Sequence, residues 1–208
     1  MTAIGKKTVL HEGHSVNPKR QASPHTHFVT VTPDDRYLCV VDLGLDKVFR
    51  YDLSLQYLDS FSLPAGSGPR HLVFSDDGAY CFVVSELAST VTSFAYADGR
   101  FERIDTVSCL PKGYAGESTA AAIRCFDGKI YASNRGHDSV AVIGQEQGKL
   151  TLSGIYSTCG SSPRDFVVSE EYILVANEQS HTVNLFDRQM HPLTAVTGIP
   201  SPVCVLML

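Results

Sequence analysis

The stretch FSDDGAYCFVVSELASTVTSFA, residues 74–95, holds an Asp-Asp-Gly turn, an apolar run, a polar corner and a second, alternating run. VTPDDRYLCVVDLGLDKVFRYD, residues 31–52, repeats that pattern 43 residues earlier: Val31 falls on Phe74, Asp34 on Asp77, Val40 on Val83 and Val48 on Val91. Farther along, GKIYASNRGHDSVAVI (128–143) and EYILVANEQSHTVNLF (171–186) match each other at the same offset of 43, with Asn134 on Asn177 and Val140 on Val183. Between the second and third copies the spacing lengthens to 49, and the extra residues fit the loop LPKGYAGEST (110–119).

Val, Tyr and Phe dominate the runs and Gly, Pro, Asn and Asp bound them, which is strand and turn chemistry. Apolar residues recur at helical spacing almost nowhere. A further strand, such as QYLDSFSL (56–63) or FERIDTVSCL (101–110), precedes most Gly/Pro breaks. Four strands in a repeat of about 40–45 residues make the blade of a β-propeller. A β-sandwich also has many short strands, but gives no reason for a fixed period.

The sequence therefore predicts one all-β domain over residues 1–208, a β-propeller with full blades starting near His27, Arg70, Ala121 and Arg164. Partial blades are expected at both ends, from KKTVLHEG (6–13) and LTAVTGIPSPVCVLML (193–208). Four blades leave strand edges and sheet faces open. The expectation is either a shortened form of a longer propeller or self-association through the open blade edges.

Composition sets the bounds. A 43% apolar share, 19% charged residues and a net charge of -5 fit a soluble globular protein and give no basis for nucleic-acid binding. No apolar run approaches the roughly 20 residues of a membrane helix, and MTAIGKKTVLHEGHSVNPKRQ lacks the apolar centre of a signal peptide. A cytoplasmic location without membrane contact is expected. The six cysteines stand singly, with no zinc spacing, so no metal or cofactor is expected. Cys39, Cys81 and Cys204 lie in apolar runs and read as small buried hydrophobes.

In a blade the start of strand one and the end of the antiparallel strand two meet at one rim. The copies place His27, Arg70, Ala121 and Arg164 at the first position, and Leu43, Glu86, Arg135 and Glu178 at the second. Rim charges are ordinarily solvated, but these recur. Pro69-Arg70, Pro163-Arg164, PHTH with His25 and His27, and NRGHD with Arg135 and His137 converge on one mouth, as small-molecule sites do. Three arginines suit an anionic ligand, because guanidinium pairs with carboxylate or phosphate through two hydrogen bonds. Glu86 and the imidazoles supply a base for water, and the arginines supply donors for an oxyanion. His14, His181 and His191 fall in polar loops and read as solvated. No G-x-S-x-G, H-E-x-x-H or P-loop motif is present.

SVNPKRQASPHTHFVTVTPDDRYLCVVDLGLDKV, GSGPRHLVFSDDGAYCFVVSELASTV, KGYAGESTAAAIR, YASNRGHDSVAV and SSPRDFVVSEEYILVANEQSHTVNLF resemble successive later blades of the lactonase family of seven-bladed propellers. That family includes the propeller-type 6-phosphogluconolactonases and is similar to fungal carboxy-muconate lactonizing enzymes. The resemblance implies metal-free hydrolysis of a small anionic sugar lactone, 6-phospho-glucono-1,5-lactone, to 6-phosphogluconate in the pentose phosphate route. It also implies His27, Arg70, Glu86 and Arg135 as catalytic residues. Glu86 or His27 would act as general base, Arg70 and Arg135 would meet the carbonyl oxygen, and Arg164 would take the phosphate. His25, His71, His137 and Glu117 complete the expected substrate contacts. The alternatives are a non-catalytic propeller remnant that binds an anionic sugar or a protein, and a muconate-type lactonizing enzyme.

Overall fold

The computed structural model describes residues 7–206. The described chain folds into four antiparallel sheets of four strands and contains no helix. The first blade is β1 (Thr26–Val31), β2 (Tyr37–Asp42), β3 (Lys47–Asp52) and β4 (Tyr57–Ser62). The second is β5 (Pro69–Phe74), β6 (Tyr80–Ser85), β7 (Thr90–Ala97) and β8 (Arg100–Ser108). The third is β9 (Thr119–Phe126), β10 (Lys129–Arg135), β11 (Ser139–Glu146) and β12 (Lys149–Ser157). The fourth is β13 (Pro163–Val168), β14 (Tyr172–Asn177), β15 (Thr182–Asp187) and β16 (Pro192–Thr197). Within each sheet the strands pair in chain order. The first strands β1, β5, β9 and β13 contact one another in turn, so they form the inner edge of the array.

The repeat is visible in single hydrogen bonds. The Thr32 hydroxyl donates to Asp34 Oδ1 (2.5 Å) and accepts from Tyr37 N, and 43 residues on the Ser75 hydroxyl donates to Asp77 Oδ1 (2.6 Å) and accepts from Tyr80 N. These side-chain bonds close the first hairpin of blades one and two.

Apolar side chains pack between blades. Cys39, Val41 and Val48 of blade one meet Leu72, Cys81, Val83 and Phe94 of blade two. Phe82, Val84 and Val91 meet Ile123, Ile130, Ala132 and Ile143 of blade three. Tyr131 and Val140 meet Phe166, Val175 and Phe186 of blade four. The middle sheets are thus covered on both faces, which is why YCFVV and IYAS read as continuous apolar runs rather than alternating ones. Truncating a buried Phe such as Phe82 to Ala costs about 3–5 kcal/mol. The outer sheets are packed by a neighbouring blade on one face only: Val29, Val31, Tyr57 and Leu58 of blade one and Leu193 and Val196 of blade four are exposed.

Corner aspartates latch one blade to the next. Asp46 accepts hydrogen bonds from Gly66 N and Gly68 N (both 2.7 Å), directly ahead of Pro69-Arg70. Asp138 accepts from Ser162 N (2.7 Å), directly ahead of Pro163-Arg164. Gly68 has φ +62 and a Cβ there would press on Leu87, so glycine is required at this latch.

The flanking segments differ from the expected partial blades. KKTVLHEG begins at Lys6, outside the described residues, and Lys7–Gly13 forms no strand. This segment lies against blade one through side chains: His11 stacks on Phe49 at 3.9 Å and bonds Asp42 (2.6 Å) and the Tyr51 hydroxyl (2.9 Å). At the other end, Pro192–Thr197 is β16 and completes the fourth blade by pairing with β15, while residues 198–206 add no strand. Met207 and Leu208 lie outside the described residues. Cys204, expected to be buried, is exposed: among the described residues no further blade packs over its segment as the blades pack over Cys39 and Cys81.

Candidate functional site

Each first-position residue sits in a β-bulge. On β1 Thr26 pairs with Asp42 and Phe28 with Val41, leaving His27 without a partner on β2. Arg70 is skipped in the same way between Pro69 and His71, and Arg164 between Pro163 and Asp165. On β9 the register slips across Ala121 and Ala122, and the Ser133 hydroxyl accepts a hydrogen bond from Ala122 N (3.0 Å). A bulge takes its residue out of the alternation and re-aims the side chain. The preceding Pro69 and Pro163 suit a first strand residue, where no ladder N–H is needed.

The second-position residues return beside them. Glu86 N donates to Gly68 O (2.6 Å) and Glu178 N to Ser162 O (2.9 Å), so each Glu is tied to the backbone just before the bulged Arg. Arg70 Nε then lies 3.1 Å from Glu86 Oε2, and Arg164 Nη1 lies 3.1 Å from Glu178 Oε2. Arg135 Nη2 reaches Glu86 Oε2 from blade three at 2.9 Å. The residue missed from the sequence is Arg20, whose Nη2 lies 2.7 Å from Glu86 Oε1. Its turn is built by Asn17 Oδ1, which accepts from Lys19 N and Arg20 N, and is anchored by buried Gln21, whose Nε2 donates to Leu43 O (2.8 Å).

The central ion group is buried rather than solvated: the Arg70 and Glu86 side chains are 4% and 2% exposed. The fully buried alanines Ala120–Ala122 leave room for this convergence, and their carbonyls take the spare donors. Arg70 Nη1 donates to Ala121 O (2.8 Å) and Arg135 Nη2 to Ala120 O (3.1 Å). Burial alone would push the Glu86 carboxyl up, but the guanidiniums of Arg135, Arg20 and Arg70 hold it below its usual value. Arg70 is pushed down to about 10 by burial and by Arg135.

Histidines flank this group. His25 stacks on His27 with ring centroids 5.9 Å apart, His27 meets His71 edge-on at 5.3 Å, and Arg70 Nη1 is 3.1 Å from His71 Nε2. Burial and then the Arg70 charge lower His27 to about 4 and His71 to about 2, so both rings are neutral near pH 7. His27 Nδ1 is buried without a hydrogen-bond partner.

The other expected contacts lie elsewhere on the mouth. Glu117, Arg135, Arg164 and Glu178 line a groove of about 440 Å³ between blades three and four, and Arg135 joins that groove to the Glu86 group. His137 is turned toward the Ser139 hydroxyl (2.8 Å) and the Tyr114 ring (4.8 Å between centroids), because its corner folds against the 110–119 loop. Among the described residues no three His, Cys, Asp or Glu side chains gather as metal ligands do, and no helix is long and apolar enough to cross a membrane.

Four blades that present a buried carboxylate gripped by guanidiniums, with neutral histidines beside it, define a partial β-propeller with a cluster of charged groups at one mouth. The chain belongs to the family described as Lactonase, 7-bladed beta-propeller, which it matches over residues 2–207. It is 37% identical to a Bacillus subtilis protein named 6-phosphogluconolactonase, over 91% of this chain and 59% of that one. A solved Lactobacillus plantarum structure superposes with a TM-score of 0.89 at 36% identity, over 96% of this chain and 62% of that one. The Pseudomonas aeruginosa periplasmic gluconolactonase superposes with a TM-score of 0.85 at 30% identity, over 93% and 60%. The chain therefore spans about three fifths of the length of these relatives.

Proposed function

We propose that this mouth hydrolyses a lactone bearing an anionic group, with 6-phospho-glucono-1,5-lactone as substrate and 6-phosphogluconate as product. The observation that carries the reading is the Glu86 carboxylate held by Arg20, Arg70 and Arg135 in a chain of the lactonase family. Three cations around one anion leave net positive charge in a mostly buried place, where an oxyanion is stabilised far more than in water.

In this mechanism Glu86 is the counter-ion that keeps the guanidiniums together, since both its oxygens lie within ion-pair distance of a guanidinium and its basicity is reduced. His27 is the base: it is neutral at pH 7 and its Nδ1 is unpaired. Burial is the first cause of His27's low basicity and the Arg70 charge the second; a bound anion opposes the second and so raises the basicity part of the way. Water adds its oxygen to the lactone carbonyl carbon while His27 takes the proton. Negative charge collects on the carbonyl oxygen, facing Arg70 and Arg135. The bond from that carbon to the ring oxygen then breaks, the ring oxygen receives the proton from His27, and the product is a hydroxy acid. Arg164, at the groove, takes the phosphate.

The test is acid release from the phosphorylated lactone against its spontaneous opening. Arg70→Ala is expected to lower the catalysed rate about 10²–10³-fold, as for loss of an oxyanion donor. A rate with the unaltered chain equal to the protein-free control would refute catalysis. Thermal stabilisation by 6-phosphogluconate without turnover would mark a binding propeller instead.

A further inference from the structure

The six residues that stretch the repeat from 43 to 49 fall in the loop at 110–119, and the structure gives that loop a definite seat. The Tyr114 ring meets the His137 ring edge-on at 4.8 Å, and its hydroxyl donates to Glu117 O (3.4 Å). His137 is in turn bonded to buried Ser139. The loop also sits on the backbone of the Arg135 corner. A Cβ on Gly136, which has φ +95, would come 2.5 Å from Glu117 O, and the Ser118 hydroxyl donates to Arg135 O (3.1 Å). Glycine at 136 is what lets the loop close down. The result is a wall that sets Glu117 on the groove opposite the Arg164–Glu178 pair.

We infer that the Tyr114–Glu117 loop is the specificity wall of the groove, selecting anionic ligands that also carry hydroxyl groups. The inference rests on the site proposed above and names its ligand class. Arg135 and Arg164 supply charge for an anion of any kind. Glu117 and Glu178 can only accept hydrogen bonds when ionised, and they repel a second anionic group. A ligand gains from both sides of the groove when it is an anion at one end and a polyol at the other. Inorganic phosphate uses the arginines alone. Tyr114 and His137 are positioning residues, acting through the placement of Glu117.

The test compares binding of 6-phosphogluconate with that of inorganic phosphate by calorimetry, so it does not depend on turnover. The unaltered chain is expected to prefer 6-phosphogluconate. Glu117→Gln is expected to narrow that preference about 10-fold, the loss of one charge-assisted hydrogen bond, while phosphate binding stays equal or tightens. Tyr114→Ala should narrow it to the same degree, and Tyr114→Phe, which keeps the ring on His137, should leave it near that of the unaltered chain. A purely structural loop would weaken both ligands together and keep their ratio. A constant ratio in Glu117→Gln and Tyr114→Ala, or no preference in the unaltered chain, overturns the inference. An altered ratio without lactone hydrolysis would refute the proposed catalysis and leave this inference standing.

Discussion

Glu86→Gln keeps the volume of the side chain and removes the single negative charge that faces Arg20, Arg70 and Arg135. Two of those guanidiniums, Arg70 and Arg135, are 4% and 15% exposed, so water cannot replace the lost partner at Arg70 and reaches Arg135 only from the groove. Arg20 is 42% exposed and solvates readily, so its share of the cost is small. Removing one member of a buried ion group costs about 3–5 kcal/mol, because the remaining charge is left uncompensated. In a chain of this length each kcal/mol moves Tm by about 2–4 °C, so the variant should melt about 6–20 °C lower. The assay is thermal and urea unfolding at pH 7 of Glu86→Gln, Arg70→Met and the double variant. Once Glu86 is neutral, Arg70 is itself a liability. The separate losses should therefore exceed the loss in the double variant by about 1–3 kcal/mol. A Glu86→Gln melt within about 2 °C of the unaltered chain, or strictly additive losses, would refute the claim that this carboxylate holds the mouth together.

Two further outcomes follow from the same contacts. His27 and His71 are neutral in the native state down to about pH 4 and 2, whereas an ordinary histidine takes its proton near 6.5. The unfolded chain thus binds more protons, and stability falls as pH drops below 6.5, before the carboxylates near 4.5 begin to contribute. His71→Gln should flatten that slope, and an unchanged slope in unfolding free energy from pH 6.5 to 4.5 would show that burial of this ring is not the cause. At the blade corners, Asp46→Ala should cost about 1.5–3 kcal/mol for its charged hydrogen bonds to Gly66 N and Gly68 N. Ser89→Ala, at the equivalent position of blade two, should be neutral or stabilising, since that buried hydroxyl has no partner. Chemical denaturation of both variants checks the contrast, and equal losses would contradict it.

The propeller is legible because one local grammar is written four times: a turn, an apolar run, a polar corner and a second run, with a Thr or Ser and an Asp two residues on marking the turn in the first two copies. The hairpin that joins Arg70 to Glu86 follows from that grammar alone, and so does the insertion before Glu117. What escapes the sequence is set by packing. Arg20 belongs to a segment with no repeat partner, and tertiary hydrogen bonds such as Gln21–Leu43 and Ser15–Asp46 carry it to Glu86. The burial of Arg70 and Glu86 depends on alanines in the next blade, whose smallness looks unremarkable in STAAAIR. His137 stands beside Arg135 in the chain, yet Ser139 and Tyr114 claim its ring. The end segments share the apolar character of strands, but only Pro192–Thr197 finds a free edge to join.

The bulges carry a consequence for how such a protein changes over time. Elsewhere on an inner strand a residue is registered to a partner on the second strand of its blade, and a substitution there disturbs that pairing and the core behind it. His27, Arg70 and Arg164 owe the ladder nothing, since no residue on the neighbouring strand is registered to them. Each blade thus offers the mouth one interchangeable tooth, and the copies already hold an imidazole, a guanidinium and, with Ala121, a methyl group. The strand register therefore survives a change of tooth, but the Arg70 tooth shares the Glu86 carboxylate with Arg135, so the chemistry there is rewritten across two blades together.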